Sequence, residues 1–351
     1  MSSKNIIAVL ANPESGTFPA LWERIGPKFA GRAHVLTPQS FELLDMAISH
    51  LVDLHPDVVF LCGGDGTQHH YLTRIVNRCR ARSLDLPRFV ILPTGTMNDA
   101  ATSLHLNRRS VPDQVERLLD KLWRDEPLQS RSFRPMLVNG ECAFLYGSGI
   151  PVAFLDRYYQ QLIKGPVGSA MTIGSVLWSE LFIELGLDDH SSWIPRLLST
   201  FGIDYKNGWL RLLLDEFGLR DAESWHAKDI AVRIADSEPR LSGPGDAFFQ
   251  CTAVMATVID QIGMGLRAFP EAMEYIGHFT LRTSRLSLTE TLAFGPLILT
   301  GQRVEGIQDD VLSHAVIEFA EPTIRMVDGE IMPSATRDEL AMGPELTIIT
   351  G

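Results

Sequence analysis

The chain has 351 residues, of which 45% are hydrophobic and 21% charged, a composition typical of a folded globular protein rather than a disordered one. Its length is sufficient for two domains, each with its own core. With 31 basic and 43 acidic residues the formal net charge is −12, which argues against nucleic acid as a partner and against a membrane contact held by charge alone.

The cysteines and the apolar runs bear on the cellular compartment. No Cys-x-x-Cys pair occurs, so neither a zinc site nor a disulfide framework is expected from Cys62, Cys79, Cys142 and Cys251. We interpret them as core residues in a reducing compartment. The apolar run before Asn12 is too short for a signal peptide, and no run approaches the roughly eighteen residues that span a bilayer. We therefore expect a cytoplasmic protein without a transmembrane segment, either free or peripheral at a membrane.

Strands and helices alternate in the first part of the chain. Residues 6–11 and 33–36 predict short strands, and residues 41–54 predict a helix with one apolar face. Turn-forming residues follow the first strand at 12–16, and Thr37 follows the second. This alternation predicts a parallel sheet with right-handed crossovers and a ligand crevice at the carboxyl ends of the strands.

The next strand ends in a glycine-rich turn. Residues 58–62 predict a strand buried on both faces, and the Gly-Gly-Asp-Gly turn at 63–66 follows it directly. Residues 68–80 then predict a helix, whose apolar face comprises Tyr71, Leu72, Ile75, Val76 and Cys79. A strand, a tight turn and a helix N-terminus offer backbone N–H groups to an anion such as phosphate. Taken alone, such a turn is more often only a turn, and this one is neither a Walker A loop nor a dinucleotide fingerprint.

A second turn of the same kind follows. Residues 89–92 predict a short strand, Pro93-Thr94-Gly95-Thr96 a loop, and residues 97–104 a helix with Asn98 and Asp99 in its first turn. Neither loop contains lysine or arginine. ATP carries about four negative charges, whereas a helix dipole supplies roughly half a charge. Asp65 and Asp99 are therefore understandable only if a divalent cation also binds, which implies Mg²⁺.

The pattern changes near residue 130, where we place a domain boundary. A helix from about residue 111 has an apolar stripe at Val115, Leu118, Leu119 and Leu122 and ends before Pro127. Beyond it, short apolar runs predict an antiparallel sandwich or open barrel, with strands at 136–138, 143–146, 230–234, 247–254, 280–283, 316–319, 323–327 and 346–350. The predicted domains are thus residues 1–130 and 131–351.

A helical insertion is predicted within the second domain, at about residues 152–225. It contains Trp178, Trp193, Trp209 and Trp225. These side chains either pack against the sandwich or dip into lipid, since tryptophan favours the headgroup region. The sequence leaves both interpretations open.

Four motifs, in this order, resemble those of the diacylglycerol kinase catalytic domain family, which includes the sphingosine and ceramide kinases and is distantly related to the NAD kinases. They are Asn12-Pro13-Glu14-Ser15-Gly16, Gly63-Gly64-Asp65-Gly66-Thr67, Pro93-Thr94-Gly95-Thr96-Met97-Asn98-Asp99 and Asp328-Gly329-Glu330. The likeness is clear over residues 5–130 and looser beyond. It implies a Rossmann-like parallel α/β domain followed by an antiparallel β-sandwich domain, with ATP between them.

The resemblance also assigns roles to individual residues. Those expected at the nucleotide are Asn12, Thr37, Gly63, Gly64, Gly66, Thr67, Thr94, Gly95, Thr96 and Asn98. Asp65 and Asp99 are expected to bind Mg²⁺, directly or through water, although helix capping explains Asn98 and Asp99 equally well. Glu330 matches the catalytic base, which has reason to have a raised pKa beside a phosphoryl group. Taken alone, Asp328-Gly329 is a type I′ hairpin turn, and both interpretations are compatible.

The acceptor side departs from the family pattern. His69 and His70 stand where many bacterial members have Asn and Glu, and we interpret them as helix-surface residues. Further departures occur at 146–150 and 275–278. The motifs of the donor side are thus preserved, whereas those of the acceptor side are not.

The sequence thus predicts an ATP- and Mg²⁺-dependent kinase acting on a lipid hydroxyl at a membrane surface, with diacylglycerol as first candidate and ceramide or a sphingoid base next. Two alternatives stay open. One is an enzyme that resembles NAD kinase and uses a soluble acceptor, and the other is a protein that binds nucleotide and lipid without turnover. A homodimer is compatible with the sequence, which does not decide it.

Overall fold

The computed structural model describes residues 5–12, 18–95, 98–104, 111–160, 230–236, 247–262 and 266–350. Thr96 and most of the predicted insertion, with its four tryptophans, lie outside these residues. No helix within the described ranges combines the length and the apolar character needed to cross a bilayer.

The first part of the chain alternates strands and helices, as predicted. The elements are β1 (Ile7–Ala11), α1 (Phe18–Phe29), β2 (His34–Leu36), α2 (Phe41–Asp53), β3 (Val58–Gly63), α3 (Asp65–Ala81), β4 (Arg88–Pro93), α4 (Asp99–Ser103) and α5 (Val111–Trp123). The strands pair in parallel in the order β2-β1-β3-β4. Their carboxyl ends, and the loops after them, therefore meet at one edge of the sheet.

Both faces of this sheet are covered, which explains the uninterrupted apolar runs of its strands. Side chains such as Val9 and Phe60 pack against α1 and α5. Their neighbours Leu10 and Leu61 point the other way, into the core formed with α2 and α3. Because side chains alternate across a strand, a strand covered on both faces needs an apolar residue at every position.

The remaining elements are β5 (Ser130–Phe133), β6 (Met136–Val138), β7 (Glu141–Ala143), β8 (Leu145–Gly149), α6 (Ile150–Gln160), β9 (Ile230–Asp236), β10 (Phe249–Cys251), β11 (Ala253–Thr257), β12 (Phe279–Ser284), α7 (Leu288–Ala293), α8 (Gly295–Leu299), β13 (Ile307–Leu312), β14 (His314–Val327), β15 (Glu330–Met342) and β16 (Leu346–Ile349). Most of these strands form an antiparallel sheet, in which β14 pairs with β15 along one side and with β9 and then β8 along the other. The predicted fold class, a parallel α/β domain with an antiparallel β domain, is confirmed.

The prediction that residues 346–350 form a strand of the second sheet is wrong. Strand β16 lies in the first sheet, where Ile348 pairs in parallel with Phe89 of β4 and antiparallel with Arg131 of β5. A short apolar strand has the same local pattern in either sheet, so its partner is determined only by tertiary packing.

All four cysteines are buried and free, as expected of core residues. The two sheets share one continuous core, which extends from α2 and α3 to β12 and β14. A direct link between them is the backbone N–H of Cys142 in β7, which donates to Thr73 Oγ1 in α3 at 2.8 Å. Helix α3 therefore packs against both sheets.

Candidate active site

The two glycine turns lie side by side at the carboxyl edge of the first sheet. Gly63 ends β3 and pairs with Pro93 at the end of β4. Just beyond, Gly95 packs so closely that a Cβ added to it would overlap the Cα of Gly64. The turns touch through bare backbone, which requires glycine at position 95.

The first turn leads into an exposed helix N-terminus. Gly64 is the N-cap of α3 and adopts extended φ and ψ of −80° and 179°, without a side-chain cap. The first backbone N–H groups of a helix have no acceptor within it and carry the positive end of the helix dipole. Asn12, after β1, donates from Nδ2 to Thr67 Oγ1 at 3.1 Å. The structure therefore brings the predicted residues Asn12, Gly64 and Thr67 together.

The second turn is shaped by Asn98, which has a positive φ of 61°. Its Oδ1 accepts from the N–H of Gly95 at 2.6 Å, and its Nδ2 donates to the carbonyl of Gly95 at 2.8 Å. Asn98 is itself buried. These contacts indicate that it orients the loop; a direct contact with a nucleotide stays a prediction. Thr94 is also buried at this edge.

Asp65 connects the two turns. Its carboxylate accepts backbone N–H groups from the first turn of α4, with Asp99 N at 3.0 Å from Oδ2 and Ala100 N at 3.1 Å from Oδ1. Burial nevertheless raises the pKa of Asp65 to about 6. Its negative charge is thus incompletely compensated by the protein, which is the condition under which a nearby cation would be bound favourably.

The carboxylates of Asp65 and Asp99, beside the two glycine turns, are of the kind that a magnesium ion takes as ligands. No group of three or more His, Cys, Asp and Glu side chains arranged for a metal occurs in the described part of the chain. Mg²⁺, however, usually takes one or two carboxylates together with water and substrate phosphates. Asp65 and the adjacent Asp99 would supply such a pair, and their assignment as metal ligands stays a prediction.

A hairpin from the second sheet reaches this edge. Asp328 and Gly329 have positive φ of 50° and 82° between the paired residues Val327 and Glu330, so the predicted hairpin turn is present. The Asp328 side chain is 1% exposed. Its Oδ1 accepts the N–H groups of Phe144 and Leu145 at 2.9 and 2.8 Å. Asp328 therefore anchors the hairpin to the start of β8.

Glu330 is the accessible carboxylate of this turn, with 43% of its side chain exposed. Its Oε1 lies against Gly66, where an added Cβ would overlap it. Its Oε2 lies 3.1 Å from His70 Nε2. The expected rise in the pKa of Glu330 is not observed, because the hydrogen bond with His70 outweighs burial and lowers the pKa.

The prediction that His69 and His70 are surface residues is wrong for His69, whereas the side chain of His70 is partly exposed, at 23%. His69 is buried, with Nδ1 3.5 Å from Asp328 Oδ2 and Nε2 3.4 Å from Glu141 Oε2. Burial alone would lower the pKa of His69, but the neighbouring carboxylates, Asp328 first, raise it above its usual value. The sequence held a signal for this burial, since His69 is three residues before Leu72 and so continues the apolar stripe of α3.

Two further side chains complete the description of the site. Thr37 is exposed directly after β2, beside the edge that holds the turns, and its nucleotide contact stays a prediction. Tyr159 in α6 donates its hydroxyl to the carbonyl of Gly329 at 2.5 Å. Nothing in the sequence pointed to Tyr159, because its partner belongs to a hairpin tip 170 residues away along the chain.

Comparisons with known proteins agree with this arrangement. Residues 7–128 match the model of the diacylglycerol kinase catalytic domain. Among solved structures, a diacylglycerol kinase from Bacillus anthracis strain Sterne is similar, with a TM-score of 0.61 and 14% identity over 100% of this chain and 98% of that chain. A proposed diacylglycerol kinase from the same strain has a TM-score of 0.64 and 14% identity, covering 100% of this chain and 99% of its own.

At such identities the likeness to the two structures establishes the fold alone. No curated protein matches the sequence. The family resemblance is confirmed by this match, which contains the first three of the four motifs.

Proposed function

We propose, from the premise that residues 7–128 belong to the diacylglycerol kinase catalytic domain family, that the protein is an ATP-dependent, Mg²⁺-requiring kinase. It would phosphorylate a hydroxyl group of a lipid presented at a membrane surface. Diacylglycerol is the first candidate acceptor, followed by ceramide and sphingoid bases. The family match supports a kinase, and the choice of a lipid acceptor rests on the surroundings of Glu330.

One observation carries the proposal. An accessible carboxylate, Glu330, lies directly against Gly66, in the first turn of an uncapped helix. Phosphoryl transfer needs phosphates held in place, their charge neutralised and a group that takes the acceptor's proton. The helix N-terminus suits the first requirement and the carboxylate suits the third, and the two are in contact.

The chain's own residues would hold the donor phosphates. The N–H groups at the start of α3 point out of the helix end, and Thr67 offers a hydroxyl fixed by Asn12. Asn98 keeps the Gly95 loop in a fixed conformation opposite. When bound, Mg²⁺ would neutralise phosphate charge that these uncharged groups leave uncompensated. Asp65 and Asp99 are the residues that would hold it.

Glu330 would act as the base through Oε1. Its other oxygen is engaged by His70, so Oε1 is the atom that faces the glycine turn. Because the pKa of Glu330 is lowered, the carboxylate is ionised at neutral pH and can accept the proton of the acceptor hydroxyl. Asp328 is buried behind it and cannot compete for this role.

The surroundings of Glu330 favour a lipid over a soluble acceptor. Ile331, the next residue along β15, is 40% exposed, and Tyr159, which contacts the hairpin tip, is 51% exposed. Tyr159 presents apolar surface to solvent beside the hairpin turn that holds the proposed base, and Ile331 presents apolar surface on the opposite face of the hairpin, since successive side chains of a strand alternate. An acyl chain could cover the surface at Tyr159, whereas a small polar acceptor would leave it in water.

The decisive experiment is a panel assay. The purified protein is incubated with Mg²⁺, labelled ATP and mixed micelles containing diacylglycerol, ceramide or sphingosine, with NAD as the soluble comparison. We expect a labelled phospholipid from at least one lipid and no labelled NADP. Absence of any lipid product would refute the lipid assignment, and label in NADP alone would favour the soluble acceptor.

A single substitution distinguishes a kinase from a protein that only binds. Glu330→Gln removes the base but keeps the shape of the side chain, so we expect turnover to fall about 100-fold or more. ATP affinity, measured by calorimetry with Mg²⁺, should change less than about twofold, since Glu330 is assigned no phosphate contact. Wild-type protein that binds ATP and lipid without turnover would support the binding alternative.

A further inference from the structure

Glu330 is the end of a series of polar contacts that runs along α3 to α2. His70 Nε2 lies 3.1 Å from Glu330 Oε2. On the other side of the ring, Arg74 Nη1 lies 3.4 Å from His70 Nδ1, and Arg74 Nε donates to Asp45 Oδ1 at 2.9 Å. His70 is therefore placed between a guanidinium group and the proposed base.

These neighbours select one tautomer of His70. A guanidinium group has only donors, so Nδ1 facing Arg74 must be the acceptor. A carboxylate has only acceptors, so Nε2 must carry its hydrogen towards Glu330. The neutral ring satisfies both contacts without rearrangement, and the hydrogen bond to Glu330 does not require a charged His70.

The ring of His70 is also held by packing. Phe41, the first residue of α2, meets it edge to face with ring centroids 5.0 Å apart. The Arg74 guanidinium lies 5.3 Å from the centre of the Phe41 ring. His70 is thus fixed by α2 on one side and by its own helix on the other, and it presents Nε2 to Glu330 in a defined direction.

Other ionisable groups also face the pair, and any pH dependence must account for them. His69 of α3, itself beside Asp328 of the hairpin turn and Glu141 of β7, lowers the pKa of Glu330 further. Asp65 of α3 and Tyr159 of α6 lie near enough for charge coupling, since both Glu330 and Asp65 raise the pKa of Tyr159. The contact of His70 is the largest of these effects on Glu330.

We propose that His70 is a positioning residue for Glu330, which holds Oε2 through Nε2–H and turns Oε1 towards Gly66. This inference rests on the proposed function, in which Glu330 is the base. It also gives a role to a residue at which this chain departs from the bacterial pattern of Asn and Glu. The acid limit of activity would then be set by the His70 contact.

Kinetics of three variants test the inference. His70→Ala removes the donor, and we expect kcat to fall about tenfold or more while the KM for ATP stays within about twofold. His70→Gln keeps an N–H donor and should recover kcat to within about threefold of wild type. The exposed His50 of α2 supplies the matched control, because His50→Gln should leave kcat unchanged.

The pH profile separates positioning from a loss of structure. Because His70 lowers the pKa of Glu330, its removal should move the acidic limb of kcat to higher pH, and Gln should restore part of the shift. An acidic limb at the same pH in wild type and His70→Ala would overturn the inference. So would a His70→Gln variant no more active than His70→Ala.

A measurement without turnover keeps the inference distinct from the proposed function. In protein labelled with ¹³C at the glutamate carboxyl, the Glu330 resonance is identified by its absence in Glu330→Gln. Its NMR titration midpoint should lie at higher pH in His70→Ala than in wild type, and equal midpoints would refute the contact. If no lipid is phosphorylated, the proposed function fails while this titration still decides the role of His70.

Discussion

At the scale of single residues, the glycines of the site are required for two different reasons. A Cβ at Gly95 would meet the backbone of Gly64, which cannot move without separating the two turns. The nearest atoms to a Cβ at Gly66 all belong to the side chain of Glu330. The first glycine therefore maintains the fold of the site, and the second leaves room for the proposed base.

This difference gives a paired prediction. Gly95→Ala should lower the free energy of unfolding by about 2 kcal/mol or more, because a backbone overlap cannot be relieved locally. Gly66→Ala should change it by less than about 0.5 kcal/mol yet reduce kcat about tenfold, because Glu330 must turn away. Urea denaturation measures the free energy of unfolding, and the lipid assay measures kcat. Equal losses of stability in the two variants would contradict the distinction.

The buried carboxylate of Asp65 predicts a pH dependence of stability. Its pKa is raised from 3.8 to about 6 in the folded state, so folding favours the protonated form. The stability that this preference contributes is present at low pH and is lost as pH rises from about 4 to about 6, by about 3 kcal/mol in total. Above pH 6 the contribution stays constant.

Asp65→Asn should remove this dependence, because the amide does not ionise. Measured with EDTA present, the unfolding free energy of the variant relative to wild type should rise by up to about 3 kcal/mol between pH 4 and pH 7. Asp328 raises the pKa of Asp65 by charge repulsion, so the difference also includes the loss of this interaction. A difference that is constant with pH would mean that the carboxylate is compensated in the folded protein.

Sequence reasoning located residues of the site better than it described their contacts. The two glycine turns can be identified from the sequence alone. Asp65, Asn98 and Glu330 lie beside these turns, as expected. What Asp65 and Glu330 touch depends on the N-terminus of α4 and on His70, which no local pattern specifies. The direction of the Glu330 pKa shift was mispredicted for this reason, since a neighbour outweighed burial.

At the scale of elements, the hairpin of β14 and β15 determines where Glu330 lies. Both residues of its turn are anchored. Asp328 accepts N–H groups from Phe144 and from Leu145 at the start of β8, and Tyr159 of α6 donates to the carbonyl of Gly329. The two anchors lie on different elements, so the position of the hairpin depends on both β8 and α6.

Tyr159→Phe should loosen the tip without unfolding the protein. One hydrogen bond at a half-exposed site contributes about 1 kcal/mol, so Tm should fall by only a few degrees. We expect kcat to fall about three- to tenfold, because Glu330 is one residue from the released carbonyl. Tyr275→Phe, at another exposed tyrosine, is the control. Unchanged kcat in Tyr159→Phe would show that Asp328 alone positions the hairpin.

Elements with a strong period were the predictable part of the fold. The apolar stripe of α5 and the burial of β1 and β3 on both faces follow from the local sequence pattern alone, because each element packs against a large surface. The positions of hairpins depend on contacts between segments distant in the chain, and these leave no local trace. The predicted tryptophan-rich insertion lies mostly outside the described residues and stays a prediction.

At the scale of the whole molecule, β16 makes the two sheets depend on each other. After the long β15 of the second sheet, the chain returns to the first, where Ile348 is fully buried beside Phe89. The core on the α2 and α3 side also continues into the second sheet. We therefore expect one cooperative unfolding transition rather than two.

Ile348→Ala tests this coupling. Truncating a buried isoleucine should lower the free energy of unfolding by about 2–5 kcal/mol. If the sheets unfold together, hydrogen exchange should accelerate in both β3 and β12, which lie in different sheets. Ile276→Ala, at an exposed isoleucine, should change stability by less than about 0.5 kcal/mol. Faster exchange confined to the first sheet would indicate independent domains.

The return of β16 has a consequence for synthesis on the ribosome. Strand β4 emerges early, carrying four buried apolar residues in a row from Phe89 to Leu92, but the neighbour on its outer side is made more than 250 residues later. Throughout that interval, the unpaired apolar edge of β4 in the nascent chain is exposed to pairing with other polypeptides. Translation speed and chaperone supply should therefore limit the yield of native protein more strongly than the stability of the finished molecule would suggest.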